Sequence, residues 1–387
     1  MNNSSPLMQA IFYSNPDGYP PIINSAKVLA ATGYRVNILC RTTDTPPNVD
    51  YPSQVTVRRL STDAANTWQA YLDFTFQALR HADTTASVFV GHDMHGLLVA
   101  RLLATRRRRP LIYHCHDFAE SGAGIALGGR LVKVFEERFA RTADLVIVPD
   151  AERAQVMAGA LRLTRSPIIV ANSPLECARP STRLQDLLTE HNLNFSRIIF
   201  RQGRIGPGHA IEATVHSLPL WRESTWGFVV MGIADDDYVG YLRDLAQRLG
   251  VADRFMILPP VSYDQVANFT VGASAGHALY DPIHINNRYI TTASNKTMEY
   301  MAAGLPLLVS DRPGLRALVE RYDCGLTADE SDPRSIAAAV NALLGDSARA
   351  QQMGANAARA FDQEFRYDKQ FAPVLTAMTG LTSGRRP

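Results

Sequence analysis

The chain has 387 residues, 46% of them hydrophobic, and a formal net charge of +2. That length suits two domains rather than one, and the near-neutral balance offers no global field for nucleic acid. Its four cysteines, Cys40, Cys115, Cys177 and Cys324, are far apart with no C-x-x-C pair, which argues against a zinc ribbon or a disulfide scaffold and for a reduced, cytoplasmic chain. Met1–Pro6 carries no basic stretch, so no signal peptide is expected. No apolar run approaches the ~18 residues of a membrane span, which leaves surface association at an inner membrane face as the only membrane contact to consider.

The first half alternates short apolar runs with helical patterns. Gln9–Tyr13 predicts a strand, followed by a Pro-Asp-Gly loop and a helix over Ile22–Thr32. Strands are expected at Tyr34–Cys40 and Gln54–Arg59, a helix at Asn66–His81, and a strand at Ser87–Val90 running into the polar Gly91-His-Asp-Met-His. Helix Gly96–Thr105, strand Leu111–His114, helix Arg130–Arg141 and strand Leu145–Val148 complete the series. Strands alternating with helices imply a parallel sheet covered on both faces.

The pattern then restarts. Pro167–Ala171 predicts a strand, and Leu175–Asn194 a linker with a short helix. Strands are expected at Arg197–Arg201, Gly227–Met231, Phe255–Leu258, His277–Tyr280 and Leu307–Val309. The helices between them fall near Ala210–Leu218, Tyr238–Leu249, Tyr263–Val271 and Lys296–Ala303, and the tail Pro333–Thr379 is helical. The expectation is an α/β chain of two doubly wound halves, 1–175 and 176–361, facing a central cleft at the carboxyl ends of both sheets, with a helix over about 362–387 packing back on the first half.

The most informative stretch is Ser294-Asn-Lys-Thr-Met-Glu-Tyr-Met-Ala-Ala-Gly-Leu-Pro, a polar loop feeding a helix N-terminus where free N–H groups attract phosphate. Lys296 adds a mobile positive charge there. Glu299, one turn on, is placed to accept hydrogen bonds from neutral hydroxyls such as a ribose. A core helix with a surface Glu is the plainer alternative.

Several blocks together resemble the family 4 (group 1) glycosyltransferases of the GT-B fold. They are Gly91-His-Asp-Met-His-Gly, Pro110-Leu-Ile-Tyr-His-Cys-His-Asp117, Ala143-Asp-Leu-Val-Ile-Val-Pro-Asp150, Gln202-Gly-Arg-Ile-Gly-Pro-Gly-His209, Leu258-Pro-Pro-Val-Ser-Tyr263 and the run from Asn287 through Asp311. The resemblance implies two Rossmann-like domains and retaining transfer of a sugar from a nucleotide diphosphate donor, without a required metal or other cofactor. The donor would sit mainly on the second half. The acceptor, a cell-envelope glycan, a lipid-linked sugar or a small natural product, would sit mainly on the first.

Carried onto this chain, Arg204 matches the first of a basic pair that grips the donor pyrophosphate, while the second position holds His209, which supplies little charge at neutral pH. Glu299 matches the ribose-binding Glu of an E-x7-E motif whose first position is Thr291, a departure for which Asn287 and Arg288 are possible replacements. Backbone near Ser294 and Asn295 would bind phosphate and sugar. His116, at the carboxyl end of a buried strand, would lie near the reaction centre without being the base. Gly18 and Gly203 would let backbone approach the donor, Val261 would meet the base, and Gly232 would line the same pocket. Charge stabilisation of the leaving diphosphate would fall to Arg204, Lys296 and helix amides.

Asp235-Asp-Asp237 imitates a D-x-D metal motif but precedes a helix, so capping explains it better. His92, Asp93, His95, His114, His116 and Asp117 suggest a metal-dependent hydrolase as one alternative, a nucleotide-sugar epimerase is another, and a degenerate sugar-binding protein a third. Arg106–Arg109 reads chiefly as a solvated helix end, and also fits anionic lipid or a lipid-diphosphate acceptor.

Overall fold

The computed structural model describes residues 5–43, 49–62, 67–118 and 127–382. Asn66, expected to open a helix, Met1–Ser4 of the expected leaderless start, and 383–387 of the expected final helix lie outside them. The chain divides into two compact units: residues through Asn172 with the returning segment from Tyr367, and Ser173–Arg366.

In the first unit the elements run β1 (Leu7–Phe12), α1 (Pro20–Ala31), β2 (Arg35–Arg41), β3 (Val55–Leu60), α2 (Thr67–His81), β4 (Val88–His92), α3 (Asp93–Arg107), β5 (Leu111–His114), α4 (Leu127–Ala140), β6 (Leu145–Val148), α5 (Ala151–Ala160) and β7 (Ile168–Ile169). All strands pair in parallel in the order β3-β2-β1-β4-β5-β6-β7. Chain direction across the sheet reverses between β1 and β4, the switch point where such sheets hold ligands. Residues Leu7–Phe12 are all buried, as expected of a central strand covered on both faces. A Cβ on Gly96 would stand 2.3 Å from the Ile11 carbonyl oxygen, so this glycine lets α3 lie directly on β1.

The second unit runs α6 (Arg183–Glu190), β8 (Arg197–Gln202), α7 (Ile211–Ser217), β9 (Trp226–Met231), α8 (Asp236–Arg248), β10 (Phe255–Leu258), α9 (Tyr263–Thr270), β11 (Ala275–Ala278), α10 (Ile285–Arg288), α11 (Asn295–Ala302), β12 (Leu307–Ser310), α12 (Pro313–Tyr322), β13 (Gly325–Ala328), α13 (Pro333–Gly345) and α14 (Ser347–Ala360). Its parallel order is β10-β9-β8-β11-β12-β13, with the switch point between β8 and β11. Ile199, Phe228, Val230, Leu308 and Val340 belong to its core. A single π turn, Phe361–Phe365, breaks the helical tail before α15 (Tyr367–Thr382) joins the first unit.

Several expectations need correction. The segment Ala151–Ala160 is a helix that the apolar pattern did not reveal; Asp150 starts it by accepting the Glu152 and Arg153 amides at 2.8 and 3.2 Å. The pair α12 and β13 was also missed, and β13 closes the sheet edge beyond β12. Strand β11 spans Ala275–Ala278 instead of His277–Tyr280, because the Tyr280 amide leaves the ladder for the Ser310 hydroxyl at 2.8 Å. The polar Asp93-Met-His forms the first turn of α3, which begins three residues before the expected Gly96. Asp235 stands at the N-cap of α8 but makes no capping side-chain bond; Asp236 and Asp237 fall in the first turn, where negative charge suits the helix dipole. Arg106–Arg109 is an exposed helix end, with Arg108 in the left-handed conformation. No helix among the described residues is long and apolar enough to cross a membrane.

Candidate functional site

In the second unit the loops leaving β8, β9 and β10 carry Gly203, Gly232 and Val261. Gly203 has a φ of +95° and its amide donates to the Met231 carbonyl at 2.9 Å. Gly232 has a φ of +155°, and a Cβ there would stand 1.6 Å from the Gly203 carbonyl oxygen, so only glycine lets these two loops touch. A Cβ on Gly203 would meet Lys296 Cε at 2.8 Å and Nζ at 3.0 Å. The lysine at the start of α11 therefore lies across the β8 loop, at the switch point.

Helix α11 begins where Ser294 accepts the Thr297 amide at 3.2 Å, and the Ser294 hydroxyl meets Tyr280 Oη at 2.7 Å. By position, the amides of Asn295 and Lys296 have no intrahelical acceptor. Lys296 Nζ stands 5.8 Å from the Tyr280 ring centre, and burial, more than any neighbouring charge, lowers its pKa. Glu299, one turn on, accepts from Gln202 Nε2 at 2.5 Å; burial raises its pKa, while that bond and Lys296 oppose the rise.

Arg204 is exposed and forms no ion pair among the described residues. His209 is half-buried and its pKa is lowered to about 2 by burial first, then by Arg201, Lys296 and Arg204. It is neutral, and the charges of these three cations act on it. Its Nδ1, Asn295 Oδ1 and Thr297 Oγ1 are buried without a partner among the described residues. Such a cluster of cations and free amides suits a diphosphate, with Glu299 a turn away for hydroxyls. Asn287 Nδ2 braces the Gly208 and Asp281 carbonyls at 2.9 and 3.0 Å. Arg288 is exposed and Thr291 lies in a half-buried turn.

In the first unit His116 follows β5 and is 4% exposed. Its amide and that of Asp117 donate to Asp93 Oδ1 at 2.7 and 3.2 Å, and its carbonyl accepts from Arg153 Nη1 at 2.8 Å. The ring's Nε2 meets His92 Nδ1 at 2.9 Å, and burial holds the imidazole well below its ordinary pKa. Burial likewise raises the Asp93 carboxyl to about 7, helped by the Asp117 charge and opposed by those two amides. Gly18 ends a single 3-10 turn, and a Cβ there would touch nothing, so this backbone does not itself require glycine. Asp17 ties the same loop to β3 through Arg59 at 2.8 Å.

The metal set of the hydrolase alternative forms only in part. Ring nitrogens of His92, His114 and His116 lie within 4.8 Å of one another, but Asp93 is turned to backbone amides. His95 packs against Tyr13 and Tyr71 at 5.3 and 5.0 Å. All three clustered imidazoles are buried, where a hydrolytic metal needs a position open to water. Sequence reasoning passed over Arg201, Gln202, His277 and Tyr280. For the first three the signal was a charged or polar residue inside an otherwise apolar strand, Arg-Ile-Ile-Phe-Arg-Gln and Ala-Gly-His-Ala; Tyr280, two residues past the second strand, carried none.

Residues 24–172 match the model of the glycosyl transferase 4-like domain, and residues 196–360 that of glycosyl transferases group 1. The chain is 27% identical to a D-inositol 3-phosphate glycosyltransferase of Kineococcus radiotolerans over 381 residues, covering 87% of this chain and 84% of the relative. Among solved structures it resembles HepE of Anabaena, determined with UDP and glucose, with a TM-score of 0.75, 15% identity and coverage of 97% and 100% of the two chains. Sucrose-phosphate synthase of Thermosynechococcus elongatus matches with a TM-score of 0.76 at 17% identity, covering 98% of this chain and 100% of that one. With both halves matched in order and the two parallel sheets of the GT-B fold, the chain belongs to the group 1 glycosyltransferases.

Proposed function

We propose that this enzyme moves a sugar from a nucleotide diphosphate-sugar to an acceptor hydroxyl with retention of anomeric configuration and without a metal. The observation that carries the reading is Lys296 lying across Gly203 at the start of α11, with Glu299 one turn on. Lys296, Arg204 and the α11 amides hold the diphosphate, while Ser294, Asn295 and His209 complete its polar wall. Glu299 holds the ribose, and the loops at Gly232 and Val261 meet the base.

The bond from the anomeric carbon to the diphosphate oxygen breaks as the acceptor oxygen bonds to the same face of that carbon. The acceptor proton passes to the leaving phosphate. His116, buried with its Nε2 held by His92, positions the loop after β5 rather than taking a proton. The loop at Gly18 and the first unit serve the acceptor, a cell-envelope glycan, a lipid-linked sugar or a small natural product. The reaction belongs to a reduced, cytoplasmic setting.

Calorimetry against UDP, GDP, ADP and dTDP, with and without EDTA, tests the reading. Micromolar binding of one nucleotide that ignores EDTA is the expected result; no binding, or binding lost to EDTA, sinks it. Glu299→Ala should weaken that binding about 10- to 100-fold with the fold retained, the worth of a charge-assisted hydrogen bond. Unchanged affinity removes the ribose assignment. Arg204→Ala should abolish transfer, and full turnover by that variant would rule out its phosphate role.

A further inference from the structure

Arg201 is the largest fully buried side chain of the second unit, on β8 two residues before Gly203. It has no carboxylate within ion-pair distance among the described residues. Its Nη1 donates to His277 Nδ1 at 3.1 Å and to the Leu279 carbonyl at 3.2 Å. That bond makes His277 Nδ1 the acceptor and sets the tautomer, so Nε2–H donates to Thr214 Oγ1 at 2.9 Å, and Thr214 donates to the Ala210 carbonyl at 2.7 Å. Arg201 Nε and Nη2 make no hydrogen bond. The guanidinium lies 5.1 Å from the Tyr280 ring centre, and Lys296 Nζ lies 5.8 Å from the same ring.

A buried charge without a counter-charge is strongly unfavourable, and an apolar side chain of the same size would serve the core better. A cation kept in such a place points to an anion that arrives from outside the chain. Arg201 and Lys296 thus stand against one ring, and the charge of Arg201 acts on Lys296 and His209 as well as on the half-buried Asp281 carboxyl, with which it forms no ion pair. His209 itself contributes no positive charge to that cluster. In a poorly polarisable interior a fixed charge acts over a longer range than one in water.

Resting on the donor reading above, we propose that Arg201 is the fixed counter-charge of the donor's diphosphate. It is a buried positioning residue that braces the Tyr280 ring shared with Lys296 and supplies the positive charge that His209 lacks.

The test compares Arg201→Met and Arg201→Lys in the full chain, using UDP, GDP, their monophosphates and inorganic pyrophosphate as probes. Arg201→Met should lose at least about tenfold in affinity for pyrophosphate and for the diphosphate that the native enzyme binds, and much less for the monophosphate. Its melting temperature should hold or rise, since an apolar residue replaces a buried ion. Arg201→Lys should keep most of the affinity, and His209→Lys added to Arg201→Met should restore part of the loss. Undiminished diphosphate affinity in Arg201→Met overturns the inference. So does a fall in melting temperature with mono- and diphosphate affinities dropping together, the mark of a purely structural role. If the native enzyme binds neither a diphosphate nor pyrophosphate, the donor reading fails and this inference falls with it.

Discussion

His116 and His209 are both imidazoles that burial keeps neutral, yet their surroundings differ. His116 is met by two other imidazoles and by a carboxyl that holds its backbone; the His209 pKa is lowered by burial and by the charges of Arg201, Lys296 and Arg204. Asp93 offers a direct check on the first arrangement. Its folded pKa of about 7 lies above the ordinary 3.8, so folding favours the protonated form. Its contribution to stability is intact below the unfolded value and is lost as pH rises through about 7. Asp93→Asn keeps an oxygen that accepts the His116 and Asp117 amides and removes the ionisation. In urea unfolding, the variant should gain on the native protein by a few kcal/mol between pH 5 and pH 8. A constant difference across that range would show that Asp93 does not titrate there.

At the scale of elements, the candidate site of the second unit is three loops and one helix N-terminus held at fixed spacing. Gly232→Ala would force a methyl into the Gly203 carbonyl, moving the β8 loop away from Lys296. The expected outcome is a loss of more than ~2 kcal/mol in chemical denaturation together with weaker nucleotide binding. Retention of both would mean the loops adjust freely. Ser294→Ala removes the cap of α11 and the partner of Tyr280, at a cost of ~1 kcal/mol, measurable by thermal unfolding.

For the molecule as a whole, α15 belongs to the first unit although it ends the chain. Tyr367 Oη donates to the Pro21 carbonyl at 3.0 Å, and Phe371, Val374 and Met378 are buried beside Met8, Leu29 and Ile147. Burying each of those three side chains contributes ~1.5–3 kcal/mol, and their sum is of the order of a domain's whole stability. A chain stopped at Arg366 should therefore lose cooperative melting of the first unit in calorimetry. The second unit, with its own core over Ile199–Met353, should keep its transition. Loss of both transitions would show that the units do not stand alone.

Periodicity and turn chemistry made most strands and helices legible, because central parallel strands are continuous apolar runs and helices alternate with them. The helix-opening run Ser294–Glu299 was equally readable, since a cap, a lysine and a glutamate fall within one turn. Helix α5, the α12–β13 pair and the early end of β11 were not, because they rest on a cap, an edge pairing and a Ser310 bond made across the fold. The sequence by itself determined two alternating halves, the polar loop that opens helix α11 and the histidine at position 209. Only the tertiary structure decided that Gly203 and Gly232 touch, that Lys296 crosses the first of them, and that Arg201 lies buried without a carboxylate partner. Those facts depend on which loops adjacent parallel strands bring together, and residues as far apart in the chain as Gly203 and Lys296 carry no local signal of it.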